Sequence, residues 1–370
     1  MAKTPAGTLE VNTSRATDAL RRGSVHGPLR IGILTSGGDC PGLNAVIRGA
    51  VLAGTEKFGD EFVGFMQGWR GVVEGRTTEL DETRVRELAK AGGTILGSSR
   101  TNPFEGEQGG AGNIAAIMLA KGIDALIAIG GEGTLTAARR LSEEGINIIG
   151  VPKTIDNDIA ETDYSFGFNT AVEIATESID RIRTTAESHD RCIIVEVMGR
   201  HAGWIALHAG MAAGADAILI PEHPVSIEQI AEWATSVRTR GGAPVFVVSE
   251  GFRLDSMEEA HSHKGMDAFN RPLLGGIADH IAPMVEEITG IECRSIALGH
   301  VQRGGVPSAF DRVLATRLGI AAVETAHEGK WGSTVVLKGT EIATVSLSSA
   351  THRLKTVPDY RYDEVAALFG

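Results

Sequence analysis

Two carboxylates stand two residues apart in Thr154-Ile155-Asp156-Asn157-Asp158, after a short apolar run and the Pro152-Lys153 connection. In extended backbone, residues two apart point to the same side, so Asp156 and Asp158 can converge on one reacting centre. That pairing suits phosphoryl transfer: one carboxylate takes the proton of a substrate hydroxyl while the other helps hold a metal ion against phosphate charge. Asn and Asp also favour turns by bonding their own backbone, and this stretch alone leaves the two readings open.

Two glycine turns add a place for phosphates. Thr35-Ser36-Gly37-Gly38-Asp39-Cys40-Pro41-Gly42-Leu43-Asn44 leads from an expected strand into an expected helix, and so does Ile129-Gly130-Gly131-Glu132-Gly133-Thr134. Backbone amides at such a turn and the start of the helix behind it can receive an anion. Glu132 can reach a metal and the Thr134 hydroxyl can cap the helix. Neither motif is a Walker loop or a spaced Gly-x-Gly-x-x-Gly, and a tight structural turn explains either one alone. A phosphorylated substrate also needs cationic donors. Arg100, Arg191, Arg200, Arg294 and Arg303 are the candidates, and Arg200 and Arg303 each stand beside glycine near the end of an apolar strand. A lone arginine is more often solvated or ion-paired. His300 suits a phosphate or a backbone carbonyl equally well.

The elements that must position these residues alternate. Strands are expected at 30–35, 61–66, 124–129, 146–151, 191–197, 216–220, 244–249, 293–298 and 333–338. Helices are expected at 42–56, 112–121, 134–144, 168–188, 203–212, 226–239, 272–288 and 308–328. Continuous apolar runs such as Ala125-Leu126-Ile127-Ala128-Ile129 fit parallel strands covered on both faces, so the expected class is α/β with mainly parallel sheets. The charged stretch 253–270 reads as a surface excursion, and its His261 and His263 lack the neighbours of a metal site.

A chain of 370 residues makes two domains the expectation. Its net charge of -12 argues against a general nucleic-acid binder, so an anionic substrate has to meet locally clustered arginines. Cys40, Cys192 and Cys293 are odd in number and far apart in sequence, which fits neither a disulfide framework nor zinc and points to a reducing cytoplasm. No apolar run has the length of a membrane span, and residues 1 to about 28 read as a polar extension without the apolar core of a signal peptide.

Four motifs taken together carry a family resemblance: Gly-Gly-Asp-Cys-Pro-Gly-Leu-Asn at 37–44, Pro-Lys-Thr-Ile-Asp-Asn-Asp at 152–158, Met-Gly-Arg at 198–200 and Leu-Gly-His-Val-Gln-Arg-Gly-Gly at 298–305. From about Leu29 to Lys330 the chain resembles the 6-phosphofructokinases, a family with ATP-dependent and pyrophosphate-dependent members. The resemblance implies a glycolytic transferase that moves a phosphoryl group to the 1-hydroxyl of fructose 6-phosphate. It implies Asp156 as base, with Thr154, Asp158 and Arg200 beside it, and Mg²⁺ held with Glu132 and Asp158. Gly37, Gly38, Arg100, Gly131, Glu132, Gly133, Thr134 and Lys153 correspond to the donor site. Met198, Gly199, Arg200, Glu250, His300 and Arg303 resemble the sugar-phosphate site, completed by Arg191 and Arg294 from a neighbouring subunit of a homotetramer or homodimer. The implied fold is two three-layer α/β domains with the active site in the cleft between them. Residues 29–167 with 303–350 would bind the donor, and 168–302 with 351–370 the sugar phosphate.

Departures from the family pattern bear on donor and regulation. Glu132 replaces the Asp usual in ATP users, while Gly133 leaves room for an α-phosphate where pyrophosphate users place an acid. Lys153 is the residue that pyrophosphate users have before Thr-Ile-Asp-Asn-Asp. Steric and charge exclusion by a second acid is harder to overcome than an added lysine, so the expected donor is ATP. Arg48 and Arg183 match two effector-binding arginines of short bacterial members, but Leu52 and Glu82 stand where two others would align, and regulation is not implied. Alternatives are a pyrophosphate-dependent enzyme, an NAD or lipid kinase sharing Gly-Gly-Glu-Gly-Thr, and a sugar-phosphate sensor that has lost its chemistry.

Overall fold

The computed structural model describes residues 27–260, 262–266 and 272–370, so the extension expected at 1–28 lies almost wholly outside the described residues. In chain order the strands are β1 (Arg30–Ser36), β2 (Glu61–Phe65), β3 (Thr77–Leu80), β4 (Ala125–Gly130), β5 (Ile148–Pro152), β6 (Cys192–Val197), β7 (Ala217–Leu219), β8 (Val245–Ser249), β9 (Ser262–Met266), β10 (Pro272–Leu274), β11 (Cys293–Ala297), β12 (Ser333–Lys338) and β13 (Glu341–Ser346). The larger sheet runs β13-β12-β5-β4-β1-β2-β3 and the smaller β11-β6-β8-β7, with β9 and β10 as a separate ribbon. All pairings in the smaller sheet are parallel, and in the larger sheet only the edge strands β3 and β13 pair antiparallel.

Alternating side chains give each sheet two covered faces. In β4, Ile127 and Ile129 join the layer of helices Leu43–Phe58 and Ala309–His327, while Leu126 and Ala128 join that of Ala111–Ala120 and Glu132–Glu143. In β6, Ile193 and Val195 pack toward Phe168–His189 and Trp204–Ala212, while Cys192 and Ile194 face Ile227–Thr239 and Ile277–Thr289. The result is helix–sheet–helix layering around each sheet. One apolar cluster runs unbroken from Ile33 and Ile149 of the larger sheet to Val195 and Val247 of the smaller.

Every expected strand has a counterpart, most displaced by one or two residues. One expected helix does not survive as drawn. In place of 272–288, Pro272–Leu274 is a strand and the helix begins at Ile277. Gly275 and Gly276 separate them at φ of 129° and 87°, backbone that cannot belong to a right-handed helix. Strands β3, β9, β10 and β13 were not expected, and β9 and β10 give the excursion at 253–270 a paired backbone. His261 and the side chain of His263 lie outside the described residues. Among the described residues no helix is long and apolar enough to cross a membrane.

Candidate active site

The carboxyl ends of three strands of the larger sheet, β1, β4 and β5, lead into the loop 37–42, the single residue Gly131 and the loop 153–158. Between β1 and β4 the strand order reverses direction, since β2 follows on one side and β4 on the other. Such a switch point opens a crevice where open α/β sheets bind ligands. From the smaller sheet, β6, β8 and β11 end at Val197, Ser249 and Ala297, delivering Met198-Gly199-Arg200, Glu250 and His300 to Arg303. One cavity of about 470 Å³ joins the two sets. Its walls include Gly37, Gly38, Arg100, Gly131 to Thr134, Lys153, Asp156, Met198, Arg200, Glu250, His300 and Arg303. An adjoining opening adds Thr154 and Asp158.

The glycine turn is held from several sides. Gly37 sits at φ 86°, its amide donates to the Ser99 carbonyl at 3.0 Å and its carbonyl accepts from Ser98 Oγ at 2.5 Å. Those contacts lay 98–100 along the turn and bring Arg100 to the cavity. From the opposite sheet, Arg303 Nη1 donates to the Asp39 carbonyl at 3.2 Å, and a Cβ on Gly38 would come within 2.9 Å of that guanidinium. Lys153 Nζ, buried beneath, donates to the Gly38 carbonyl. A lysine and an arginine thus converge on the turn where bare glycine leaves room.

The aspartate loop is a bend, not the extended segment the spacing suggests. Asn157 takes φ 52°, accepts the Ser165 amide at 3.0 Å through Oδ1, and is buried with Ile155 and Ile159. Thr154, Asp156 and Asp158 stay half-buried and line the site. Turn and carboxylate pair are therefore one feature: the Asn157 turn aims both aspartates into the cleft. Asp156 Oδ1 is buried with no hydrogen-bond partner among the described residues. Burial first and Asp158 second push the Asp156 carboxyl up to about 6 against the pull of Arg303, Lys153 and Arg200. Burial also raises Asp158, with Thr154 bonding as the main opposing influence. Glu250 rises to about 7 through burial and the nearby Asp156, and burial lowers Lys153.

Across the cleft, Met198 N donates to Gln302 Oε1 at 3.2 Å, and Glu250 N donates to the Val197 carbonyl at 2.8 Å. Gly199 serves by lacking a side chain: at φ 138° its Cβ would fall 2.4 Å from Ser249 Oγ, which donates to the Gly199 carbonyl at 2.6 Å. Arg191 and Arg294 are not brought to this cleft. Both guanidiniums pair with Glu292, Arg191 at 2.8 Å, near the amino ends of β6 and β11. The six residues of β6 separate that end from Met198 by roughly 20 Å at about 3.3 Å per residue.

Sequence reasoning missed several walls. Phe104 and Arg140 line the cavity, the guanidinium 3.7 Å above the ring centroid. Arg140 carries a signal, because Glu132, Thr136 and Arg140 are spaced by four on one helix and all line the cavity. Phe104 sits in irregular chain with no pattern to mark it. His201 and Thr351 to Leu354 line the adjoining opening. The latter belong to a strap fixed to the aspartate loop by Lys355 N donating to the Asp158 carbonyl at 2.8 Å, and to the smaller sheet's helices by Trp204 Nε1 donating to the Lys355 carbonyl at 2.9 Å.

Two glycine turns and a carboxylate pair on one side of a cleft, with Arg100 on that side and Arg200 and Arg303 opposite, suit phosphoryl transfer. A phosphofructokinase family model matches residues 30–326, and the chain belongs to that family. It is 55% identical over 342 residues to a pyrophosphate–fructose 6-phosphate 1-phosphotransferase of Amycolatopsis methanolica, covering 92% of this chain and 100% of that protein. It is 51% identical over 340 residues to ATP-dependent 6-phosphofructokinase 3 of Streptomyces coelicolor, covering 91% and 98%. Pichia pastoris phosphofructokinase in the T-state superposes with a TM-score of 0.77 at 32% identity, over 93% of this chain but only 37% of that longer one. A pyrophosphate-dependent phosphofructokinase from Marinobacter aquaeolei gives 0.77 at 25% identity, over 90% and 86%.

Proposed function

We propose that this phosphofructokinase takes its phosphoryl group from ATP, giving fructose 1,6-bisphosphate and ADP. The observation that carries the donor choice is Gly133. It is the second residue of the helix Glu132–Glu143, lines the cavity, and a Cβ built on it meets nothing within 4 Å. That space suits an α-phosphate, and the Phe104–Arg140 stack in the same cavity offers a flat, polarisable surface for a purine. Lys153, the residue favouring pyrophosphate, donates to the Gly38 carbonyl, a task that either donor would need. The second reading, a pyrophosphate-dependent enzyme, draws on the printed function of the 55% identical Amycolatopsis protein.

In this reading Asp156 orients the sugar 1-hydroxyl and receives its proton late in a loose transition state. Its unpartnered Oδ1 and raised pKa suit a base working near neutrality. Thr154 and Asp158 keep the loop in register, and Arg200 and Arg303 neutralise charge on transferring and substrate phosphates. Gly37, Gly38, Arg100, Gly131 and Thr134 surround the donor phosphates, while Met198, Glu250 and His300 hold the sugar phosphate. Glu132 and Asp158 are hard oxygen donors suited to Mg²⁺. Both line one opening, and an ion held there by two carboxylates would take its remaining oxygens from substrate phosphate and water. When bound, the ion would neutralise charge between the donor phosphates. Arg191 and Arg294 would complete a neighbour's sugar-phosphate site in a homotetramer or homodimer, and the cytoplasm is the proposed location.

Purified protein with fructose 6-phosphate tests this reading. ADP must appear with the bisphosphate when ATP is supplied. Turnover confined to pyrophosphate would replace it with the second reading.

A further inference from the structure

The smaller sheet holds two cysteines that the proposed chemistry does not use. Cys192 opens β6 and Cys293 opens β11, and they are register partners on adjacent parallel strands. Register partners send their side chains to the same face, and both belong to the apolar layer that holds Ile194, Phe246, Ile281 and Ala282. Both are free thiols. A hydrogen bond with Cys293, followed by burial, raises the Cys192 thiol well above its usual range, and Cys293 Sγ also donates to the Ile291 carbonyl at 3.2 Å. Both are buried, Cys192 at 0% and Cys293 at 4% exposure, and Cys293 is the one that borders a cavity. A cavity of about 490 Å³ opens on it, with Asp279, Pro283, Glu286 and Arg294 among its walls.

We propose that Cys192 and Cys293 form a reversible disulfide when a small peroxide enters this cavity. The Cys293 sulfur attacks a peroxide oxygen: an S–O bond forms, the O–O bond breaks and water leaves, giving a sulfenic acid. The Cys192 sulfur then attacks that sulfur: S–S forms, S–O breaks, and the Cys192 proton leaves with the hydroxide as a second water. The two thiols together lose two protons and two electrons, and hydrogen peroxide takes them up to become two waters. A dithiol reductant reverses the result.

The bond has a structural consequence. Disulfide Cβ atoms sit about 3.8 Å apart, whereas neighbouring strands are spaced about 4.8 Å, so the two strand starts must draw together. The residues flanking the cysteines are the ones that move: Cys293 N donates to Glu286 Oε2 at 2.9 Å, Cys192 N donates to the Glu292 carbonyl at 2.9 Å, and Glu292 pairs with both Arg191 and Arg294. If those arginines serve a neighbour's sugar-phosphate site, as the proposed function has it, oxidation weakens fructose 6-phosphate binding; this step rests on that reading.

The test is hydrogen peroxide treatment of the full-length protein under native conditions, then peptide mapping without reductant. The expected product joins the Cys192 and Cys293 peptides at a mass two hydrogens below their sum and separates with dithiothreitol. Absence of that product, or oxygen addition to Cys293 without it, overturns the proposal. Cys293→Ala and Cys192→Val must each abolish it, and either variant that folds suffices. In activity assays oxidation should raise KM for fructose 6-phosphate several-fold, reversibly, with donor KM unchanged. A linked product with unaltered KM overturns the coupling to the substrate site. A reduced enzyme that lacks phosphofructokinase activity refutes the proposed function, while peptide mapping still judges the disulfide.

Discussion

In the proposed mechanism Asp156 carries the proton transfer, and its environment makes two demands testable. Replacing it with Asn keeps the shape of the loop, because the contacts that fix the bend belong to Asn157, Ser165 and Thr154. Loss of a general base costs about 10²–10⁴-fold in rate, so Asp156→Asn should lower kcat by that much while calorimetric binding of fructose 6-phosphate stays near wild type. The pH profile follows from the same burial. With the Asp156 carboxyl raised to about 6, kcat/KM should fall as pH drops through that value, along a limb that belongs to Asp156 and Asp158 jointly. A carboxyl raised on folding binds its proton more tightly in the folded state, so protonating it does not destabilise the fold. Circular dichroism should therefore stay constant where activity falls; unfolding over the same pH range would assign the limb elsewhere. The spacing marked Asp156 as a candidate and left a turn equally open, and its geometry was not legible. The spacing suggested extended chain, and only the tertiary contacts of Asn157 select its left-handed turn.

Helices Leu43–Phe58 and Ala309–His327 fix the glycine turn at the scale of elements. They touch backbone to backbone: a Cβ on Gly49 would fall 2.5 Å from the Thr316 carbonyl oxygen, and one on Gly319 would fall 2.3 Å from that of Val46. Alanine gains about 1 kcal/mol of helix propensity over glycine. Overpacking against backbone that cannot rotate away costs about 1–3 kcal/mol, and here it should win. Gly49→Ala and Gly319→Ala should each lower the melting temperature by a few degrees, whereas Gly133→Ala, facing open space, should leave it unchanged or slightly higher; calorimetry decides. The long parallel strands were readable because runs such as Ile127-Ala128-Ile129 are buried on both faces. The edge strands β3 and β13 were not, since Thr77-Thr78-Glu79-Leu80 and Glu341-Ile342-Ala343-Thr344-Val345-Ser346 carry mixed polarity and stay partly open to solvent. The helix start at Ile277 was misjudged because the Gly275-Gly276 break was read through. Phe104 escaped because its neighbour Arg140 reaches it only in the folded chain.

At the scale of the whole molecule, Arg191 and Arg294 lie too far from their own chain's cleft to serve it, which makes sharing between subunits measurable. Asp156→Ala and Arg294→Ala should each be nearly inactive, yet co-refolded mixtures should recover activity through sites that draw an intact Asp156 from one subunit and an intact Arg294 from another. Mixtures no more active than either parent would remove the shared site. The central claim is the donor, and it turns on the space beside Gly133. An aspartate there would face the α-phosphate of ATP, and like unit charges 4 Å apart repel by about 4 kcal/mol at an effective dielectric of about 20. That energy corresponds to roughly a thousandfold in kcat/KM. Pyrophosphate has no α-phosphate and escapes the penalty. The direct measurement is kcat/KM for ATP and for pyrophosphate, at saturating fructose 6-phosphate, in the wild type and in Gly133→Asp. The account predicts a wild type that prefers ATP and a variant that loses ATP efficiency by orders of magnitude while pyrophosphate use holds or rises; a wild type that prefers pyrophosphate, or a variant with full ATP efficiency, would contradict it.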